Sequence, residues 1–104
     1  MPTLKLWTVT CNKTEDLIGS DDPYLCVDGN KVWGPIKAKA GETLIINKQL
    51  EFRGNAVIQM WEKDIDPDDL LGSQTVSNNE AGNGKVEAKF TENNADYTLV
   101  YEVV

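Results

Sequence analysis

The chain has 104 residues, of which 40% are hydrophobic and 26% charged, a composition typical of one soluble globular domain rather than a disordered segment. Its net charge is −7 and it has no histidine, which disfavours nucleic acid as a partner and removes the usual general base and zinc ligand. No segment approaches the roughly 18 apolar residues of a membrane span. The N-terminus also lacks the pattern of a secretory signal, so we expect a cytoplasmic or peripheral membrane location.

Alternating or β-branched composition predicts seven short strands in chain order, and the segments between them are rich in Gly, Pro, Asn and Asp. Asp28-Gly29 predicts a hairpin between the second and third strands. No window shows a helical period longer than about two turns. The sequence therefore predicts one all-β domain over residues 1–104, an antiparallel β-sandwich of about seven to eight strands. The predicted strands cover residues 3–11, 24–27, 31–33, 43–47, 56–61, 85–90 and 96–104.

Two connecting segments hold nine of the seventeen acidic residues. The first carries Glu15, Asp16, Asp21 and Asp22, and the second carries Glu62, Asp64, Asp66, Asp68 and Asp69. A sandwich collects its loops at two ends, so segments about forty positions apart can be neighbours in space. Calcium takes six to eight oxygen ligands in a tolerant geometry, which fits such a set better than magnesium does. We therefore expect a shared calcium site; the alternative is that both segments are solvated turns, where Asp is favoured anyway.

An EF-hand is excluded as the form of this site. The spacing Asp64-x-Asp66-x-Asp68 resembles the start of an EF-hand loop, which needs Gly at its sixth position and Glu at its twelfth. Those positions are Asp69 and Thr75 here, and no helix is predicted on either side.

The acidic segments resemble the calcium loops of the C2 domain family. Asp16-x5-Asp22-Pro23-Tyr24 is similar to the family's first loop, and LKLWTVTC before it is similar to the family's first strand. The strand AVIQMW, followed by Glu62-Lys63-Asp64 and later by Asp69-Leu70-Leu71-Gly72, resembles the third loop. The resemblance implies bound Ca²⁺, with Asp16, Asp22 and Asp64 bridging if two ions bind. It implies ligands Asp16, Asp22, Glu62, Asp64 and Asp69, with Asp21, Asp66 and Asp68 as further acids of the same loops.

The resemblance also implies a binding function rather than catalysis. C2 domains commonly dock on anionic phospholipid through apolar loop tips, for which Leu17, Ile18 and Ile65 are the candidates here. We therefore expect a calcium-dependent module that binds an anionic membrane or a protein partner. The alternative is a calcium-stabilised structural or interaction domain with no membrane role. We do not expect an enzyme, since the sequence has no Gly-x-Ser-x-Gly element and no Gly-rich phosphate loop.

The two cysteines, Cys11 and Cys26, lie in separate apolar segments. Two buried thiols are the simplest interpretation, and a disulfide between strands stays open if the compartment is oxidising.

Overall fold

The computed structural model of the chain describes residues 1–16, 18–65 and 67–104, and it forms two four-stranded antiparallel sheets. Its strands are β1 (Thr3–Lys13), β2 (Pro23–Val27), β3 (Asn30–Trp33), β4 (Thr43–Glu51), β5 (Asn55–Glu62), β6 (Asp69–Ser77), β7 (Lys85–Phe90) and β8 (Asp96–Val103). One sheet has the order β4-β1-β8-β7 and the other β3-β2-β5-β6. Short 3-10 turns span Asn78–Glu80 and Glu92–Asn94. The predicted all-β sandwich of seven to eight strands is confirmed.

The core lies between the sheets and follows from the alternation of the strands. In β8 every second residue from Tyr97 to Val103 is buried, as the sequence predicts for Tyr97, Leu99 and Tyr101. In β1 the alternation shifts by one at a bulge between Leu6 and Thr8. A single apolar core results, with its largest fully buried side chains drawn from both sheets: Tyr97, Phe90, Leu4, Leu6, Leu25, Ile58 and Met60.

The hairpin predicted at Asp28-Gly29 joins β2 to β3. Both residues have positive φ, 50° and 86°, as a two-residue turn with the right-handed strand twist requires. The carboxylate of Asp28 accepts a hydrogen bond of 2.9 Å from the backbone N–H of Val57, which ties the turn to β5. The predicted hairpin is confirmed.

One strand, β6, is absent from the sequence-based prediction. It pairs along its length with β5, but the register shifts between Met60 and Trp61, opposite Gly72. Near this shift the adjacent residues Leu71 and Gly72 are both buried, and Ser73, Gln74 and Thr75 are exposed. The segment therefore lacks the simple alternation by which the other strands are predicted.

The strand directions bring the two acidic segments to one end of the sandwich. Lys13 at the end of β1 pairs with Asp96 at the start of β8, and Pro23 at the start of β2 pairs with Glu62 at the end of β5. The described parts of 14–22 and 63–68 therefore emerge together, and we call this end the acidic pole. No helix in the described chain is long and apolar enough to cross a membrane.

Candidate metal centre at the acidic pole

The two acidic segments contact each other directly. The backbone N–H of Lys63 donates a 3.0 Å hydrogen bond to the carbonyl of Asp22, next to the Pro23–Glu62 strand pair. Asp22 and Asp64 line the same open hollow, of about 370 Å³, together with Asp16 and Glu62. Carboxylates from both segments thus face one common space.

Three carboxylates come closest to one another. Asp16, Asp21 and Glu62 each offer an oxygen, and these oxygens all lie within 4.8 Å of one another. Asp21 is fully buried and Glu62 is 4% exposed, whereas Asp16 is exposed. In the described part of the chain the one ion pair joins Lys89 to Asp96, so no lysine or arginine there forms an ion pair with the cluster. Three acids held this close without a counter-charge repel one another strongly.

The repulsion between these carboxylates has its largest effect at Glu62, which is buried. Its Oε2 is buried and has no hydrogen-bond partner among the described residues. The pKa of the Glu62 carboxyl is raised from 4.5 to about 8, first by burial and then by the nearby charges of Asp21, Glu15, Asp16 and Asp64. A buried acceptor with no donor is costly unless a cation or a proton neutralises it. The arrangement therefore fits a bound cation.

Asp21 is held rigidly in place by the fold. Its Oδ2 accepts hydrogen bonds from the backbone N–H of Glu15 (2.8 Å) and from the hydroxyl of Tyr97 (2.7 Å). Its backbone forms a two-way bridge to Ala38, with both hydrogen bonds at 2.9 Å. These contacts fix the end of segment 14–22 to β8 and to the connection between β3 and β4.

Glu15 lies beside the cluster, although the sequence does not predict it as a ligand. The pKa of its carboxyl is raised from 4.5 to about 7, first by burial, then by a hydrogen bond to the Asp69 carboxylate and by the charges of Asp69, Asp21 and Asp16. A carboxyl–carboxylate hydrogen bond needs one proton between the two groups. Asp69, a predicted ligand, is therefore a close neighbour of Glu15. The sequence signal for Glu15 was present, because it directly precedes Asp16.

The remaining acids of segment 63–68 have other partners. Asp68 accepts hydrogen bonds from the Tyr24 hydroxyl and from the backbone N–H of Asp64 (3.0 Å), and the Tyr24 bond is the main cause that lowers the pKa of the Asp68 carboxyl. Asp64 is exposed, and its Oδ1 accepts the N–H of Ile65 (2.7 Å). Asp66 lies outside the described residues. Asp68 thus shapes the segment rather than facing the cluster.

Solved structures provide the comparison for this arrangement. No protein-family model and no curated protein matches the sequence. A structure described as a C2 domain matches with a TM-score of 0.65 and 14% identity, over 99% of this chain and 98% of that chain. Human GIVD cytosolic phospholipase A2 matches with a TM-score of 0.65 and 16% identity, over 99% of this chain but 16% of the enzyme. The chain has a C2-like fold.

A second structure of the human phospholipase, in complex with a fluorophosphonate inhibitor and terbium chloride, matches the C2-like fold with a TM-score of 0.61 and 17% identity. Here too the chain spans 16% of the enzyme's length. At these identities the match concerns the architecture of the C2-like sandwich, so the site has to be argued from this chain's own residues.

Within the C2-like fold, the structure sorts the predicted ligands into three groups. Asp16, Asp21 and Glu62 form the tight cluster, and Asp22 and Asp64 line the same hollow. Asp69 lies next to Glu15, and Asp68 accepts a hydrogen bond from Tyr24.

The apolar tip candidates are strongly exposed where they are described. Ile18 is 91% exposed and Ile65 is fully exposed at 101%. Both side chains therefore face solvent rather than packing beneath their own segments. Ile65 also lines the hollow that contains the acids. Leu17 lies outside the described residues.

Proposed function

We propose that this chain is a calcium-binding C2-like module that docks on anionic phospholipid once calcium occupies the acidic pole. The observation that carries the proposal is the buried Oε2 of Glu62, which has no hydrogen-bond partner among the described residues. The same side chain offers an oxygen within 4.8 Å of oxygens of Asp16 and Asp21. In acidic turns that merely face solvent the carboxylates stay hydrated, because burying one without a partner is costly. We propose a binding module and not an enzyme, because these acids are crowded for chelation rather than spaced across a cleft.

Calcium suits the donors at this pole. The donors are all carboxylate oxygens, which hard cations prefer, and the chain has no histidine. Asp16, Asp21 and Glu62 would hold the ion, and Asp22 and Asp64 stand in the same hollow to complete its oxygen shell. A bound calcium ion supplies two positive charges that offset the mutual repulsion of these groups.

The lipid half of the proposal depends on the two exposed isoleucines. Exposed isoleucines are costly in water, and burying one in an apolar phase gains about 1.5 to 3 kcal/mol. Ile18 and Ile65 extend from the two segments that carry the acids. Without calcium the negative pole repels an anionic surface; with calcium the repulsion falls and both side chains can enter the interface. Calcium and apolar insertion therefore act together at one end of the domain.

The unpaired Glu62 carboxylate also supports a second candidate, a calcium-stabilised domain with no membrane role. In that case the ion would only relieve repulsion at the acidic pole and raise the stability of the folded state by mass action. Vesicle binding separates the two candidates.

The experiment is sedimentation with vesicles of phosphatidylserine and phosphatidylcholine, with calcium or with a chelator. We expect calcium-dependent binding by the natural chain and its loss in Ile18→Ser/Ile65→Ser. The matched control is Ile45→Ser, since Ile45 is 78% exposed on β4, away from the acidic pole. Calcium that raises the melting temperature without promoting sedimentation would leave the stabilised-domain candidate. Calorimetry that shows no calcium binding to folded protein would end both.

A further inference from the structure

A buried tyrosine connects the core to the acidic pole. Tyr97 is fully buried in β8, on the sheet that does not contain Glu62. Its hydroxyl donates a 2.7 Å hydrogen bond to Oδ2 of Asp21, which is also fully buried. Asp21 in turn lies in the cluster with Asp16 and Glu62. The hydroxyl therefore reaches the cluster from the core side, through one carboxylate.

The hydrogen bonds of Asp21 are unequally divided between its two oxygens. Oδ2 accepts from Tyr97 and from the backbone N–H of Glu15, whereas Oδ1 has only a long 3.5 Å contact with the N–H of Asp16. A carboxylate oxygen has about two lone-pair sites, so Oδ2 is filled while Oδ1 retains acceptor capacity. This division leaves one oxygen of a rigidly held carboxylate for a further partner.

We propose that Tyr97 is a positioning residue of the calcium site, which acts through Asp21 by occupying Oδ2 and fixing the orientation of the carboxylate. The inference rests on the function proposed above. Partners that hydrogen-bond to metal-ligating groups fix their orientation, and their loss weakens metal binding by about 10- to 100-fold. Tyr97 donates in the same way, from a position where it cannot rotate away because the core surrounds it.

Tyr101 provides a matched control on the same strand. It is also buried, and its hydroxyl donates a 2.6 Å hydrogen bond to the carboxylate of Glu80. Glu80 lies in the turn that follows β6, at the end of the sandwich opposite the acidic pole. Tyr97→Phe and Tyr101→Phe thus each remove one hydroxyl that is bonded to a carboxylate, and they differ in which pole that carboxylate occupies.

The test is calcium calorimetry on the natural chain, Tyr97→Phe and Tyr101→Phe, with the thermal midpoint of each measured in chelator. We expect both variants to lose stability, and only Tyr97→Phe to bind calcium about 10- to 100-fold more weakly. If the natural chain does not bind calcium, the proposed function itself fails. If it binds and Tyr97→Phe binds equally well, or if both variants weaken alike, the positioning role is overturned and the proposed function stands.

A second measurement covers the case in which Tyr97→Phe does not fold. The chain has three tyrosines, which can be replaced by 3-fluorotyrosine in the otherwise natural protein and followed by ¹⁹F NMR during calcium titration. We expect the Tyr97 signal to move in step with calcium binding and the Tyr101 signal to stay in place. A Tyr97 signal that does not respond to bound calcium contradicts the inference.

Discussion

The hydroxyl of Tyr24 donates a hydrogen bond to the carboxylate of Asp68, and so connects β2 to the second acidic segment. The other oxygen of Asp68 accepts the backbone N–H of Asp64 at 3.0 Å. One carboxylate therefore closes the segment on itself and attaches it to the neighbouring strand. The sequence predicts Asp68 as one of the acids of a metal site. In the structure its two hydrogen bonds instead hold the segment that contains Asp64 and Ile65.

Tyr24→Phe is expected to raise the pKa of Asp68 toward the ordinary value of about 3.9. The reason is that the Tyr24 hydroxyl is the largest of the contributions that lower this pKa. Carboxyl ¹³C NMR as a function of pH measures it. Tyr101→Phe, which removes a hydroxyl at the opposite end, should leave the Asp68 titration unchanged. An Asp68 pKa that is equally low in Tyr24→Phe would show that the Tyr24 hydroxyl does not set it, and that the backbone N–H of Asp64 and the nearby lysines do.

Glu62→Gln is expected to stabilise the calcium-free protein at alkaline pH. Since the pKa of Glu62 is 4.5 ordinarily and about 8 in the folded protein, the folded state retains a proton that the unfolded chain releases in between. Stability in chelator should therefore fall as pH rises from about 4.5 to about 8, by a few kcal/mol in total. Glu62→Gln should remove the part of this fall that Glu62 causes and leave the part that Glu15 causes, which urea unfolding at several pH values measures.

The same variant should bind calcium at least about tenfold more weakly, since it loses one charged ligand. Glu87→Gln is the control, because Glu87 is an exposed residue of β7 outside the acidic pole. The combination of higher stability and weaker calcium binding is the diagnostic result. If Glu62→Gln lowers stability in chelator at pH 8, the Glu62 carboxylate stabilises the calcium-free protein. It then has a partner within the protein, and its burial is no longer evidence for a cation site.

The C2-like sandwich could be predicted from the sequence because its local signals agree with each other. Most strands alternate over the lengths observed, and Asp28-Gly29 supplies a turn of the required twist. Strand β6 could not be predicted, because Gly72 and the register shift opposite it break the alternation. A bulge depends on pairing with a distant strand, which a local pattern does not encode.

The sequence predicted the location of the acidic pole more accurately than it predicted which acids are free to act as ligands. The acids are dense in sequence, which indicates where they gather, but their partners come from elsewhere in the fold. Asp21 meets Tyr97 across 76 positions and Asp68 meets Tyr24 across 44. Burial of Glu62 likewise depends on its place at the end of β5 between two paired strands. Only the folded chain distinguishes an acid that is free to bind from one that is already bonded.

The two thiols are expected to differ in reactivity. Both cysteines are free; Cys11 is buried and Cys26 is half-buried, and burial raises the pKa of each thiol. Because the thiolate is the reactive form, native protein should react slowly with Ellman's reagent at Cys26 and hardly at all at Cys11. Denatured protein should yield two thiols without a reductant. A yield of none would indicate the disulfide that the sequence leaves open.

Gly34→Ala is expected to be far more destabilising than Gly41→Ala, although both glycines have positive φ, 81° and 91°. A Cβ at Gly34 would lie 2.5 Å from the carbonyl oxygen of Pro23 and 2.9 Å from Cα of Tyr24, whereas a Cβ at Gly41 would meet nothing within 4 Å. Both variants carry the backbone strain of about 1 kcal/mol, but only Gly34→Ala must also displace the backbone where β2 begins. Urea unfolding should place Gly34→Ala at least about 2 kcal/mol below Gly41→Ala. Equal midpoints for the two variants would mean that the loop before β4 can move away from Pro23 without cost.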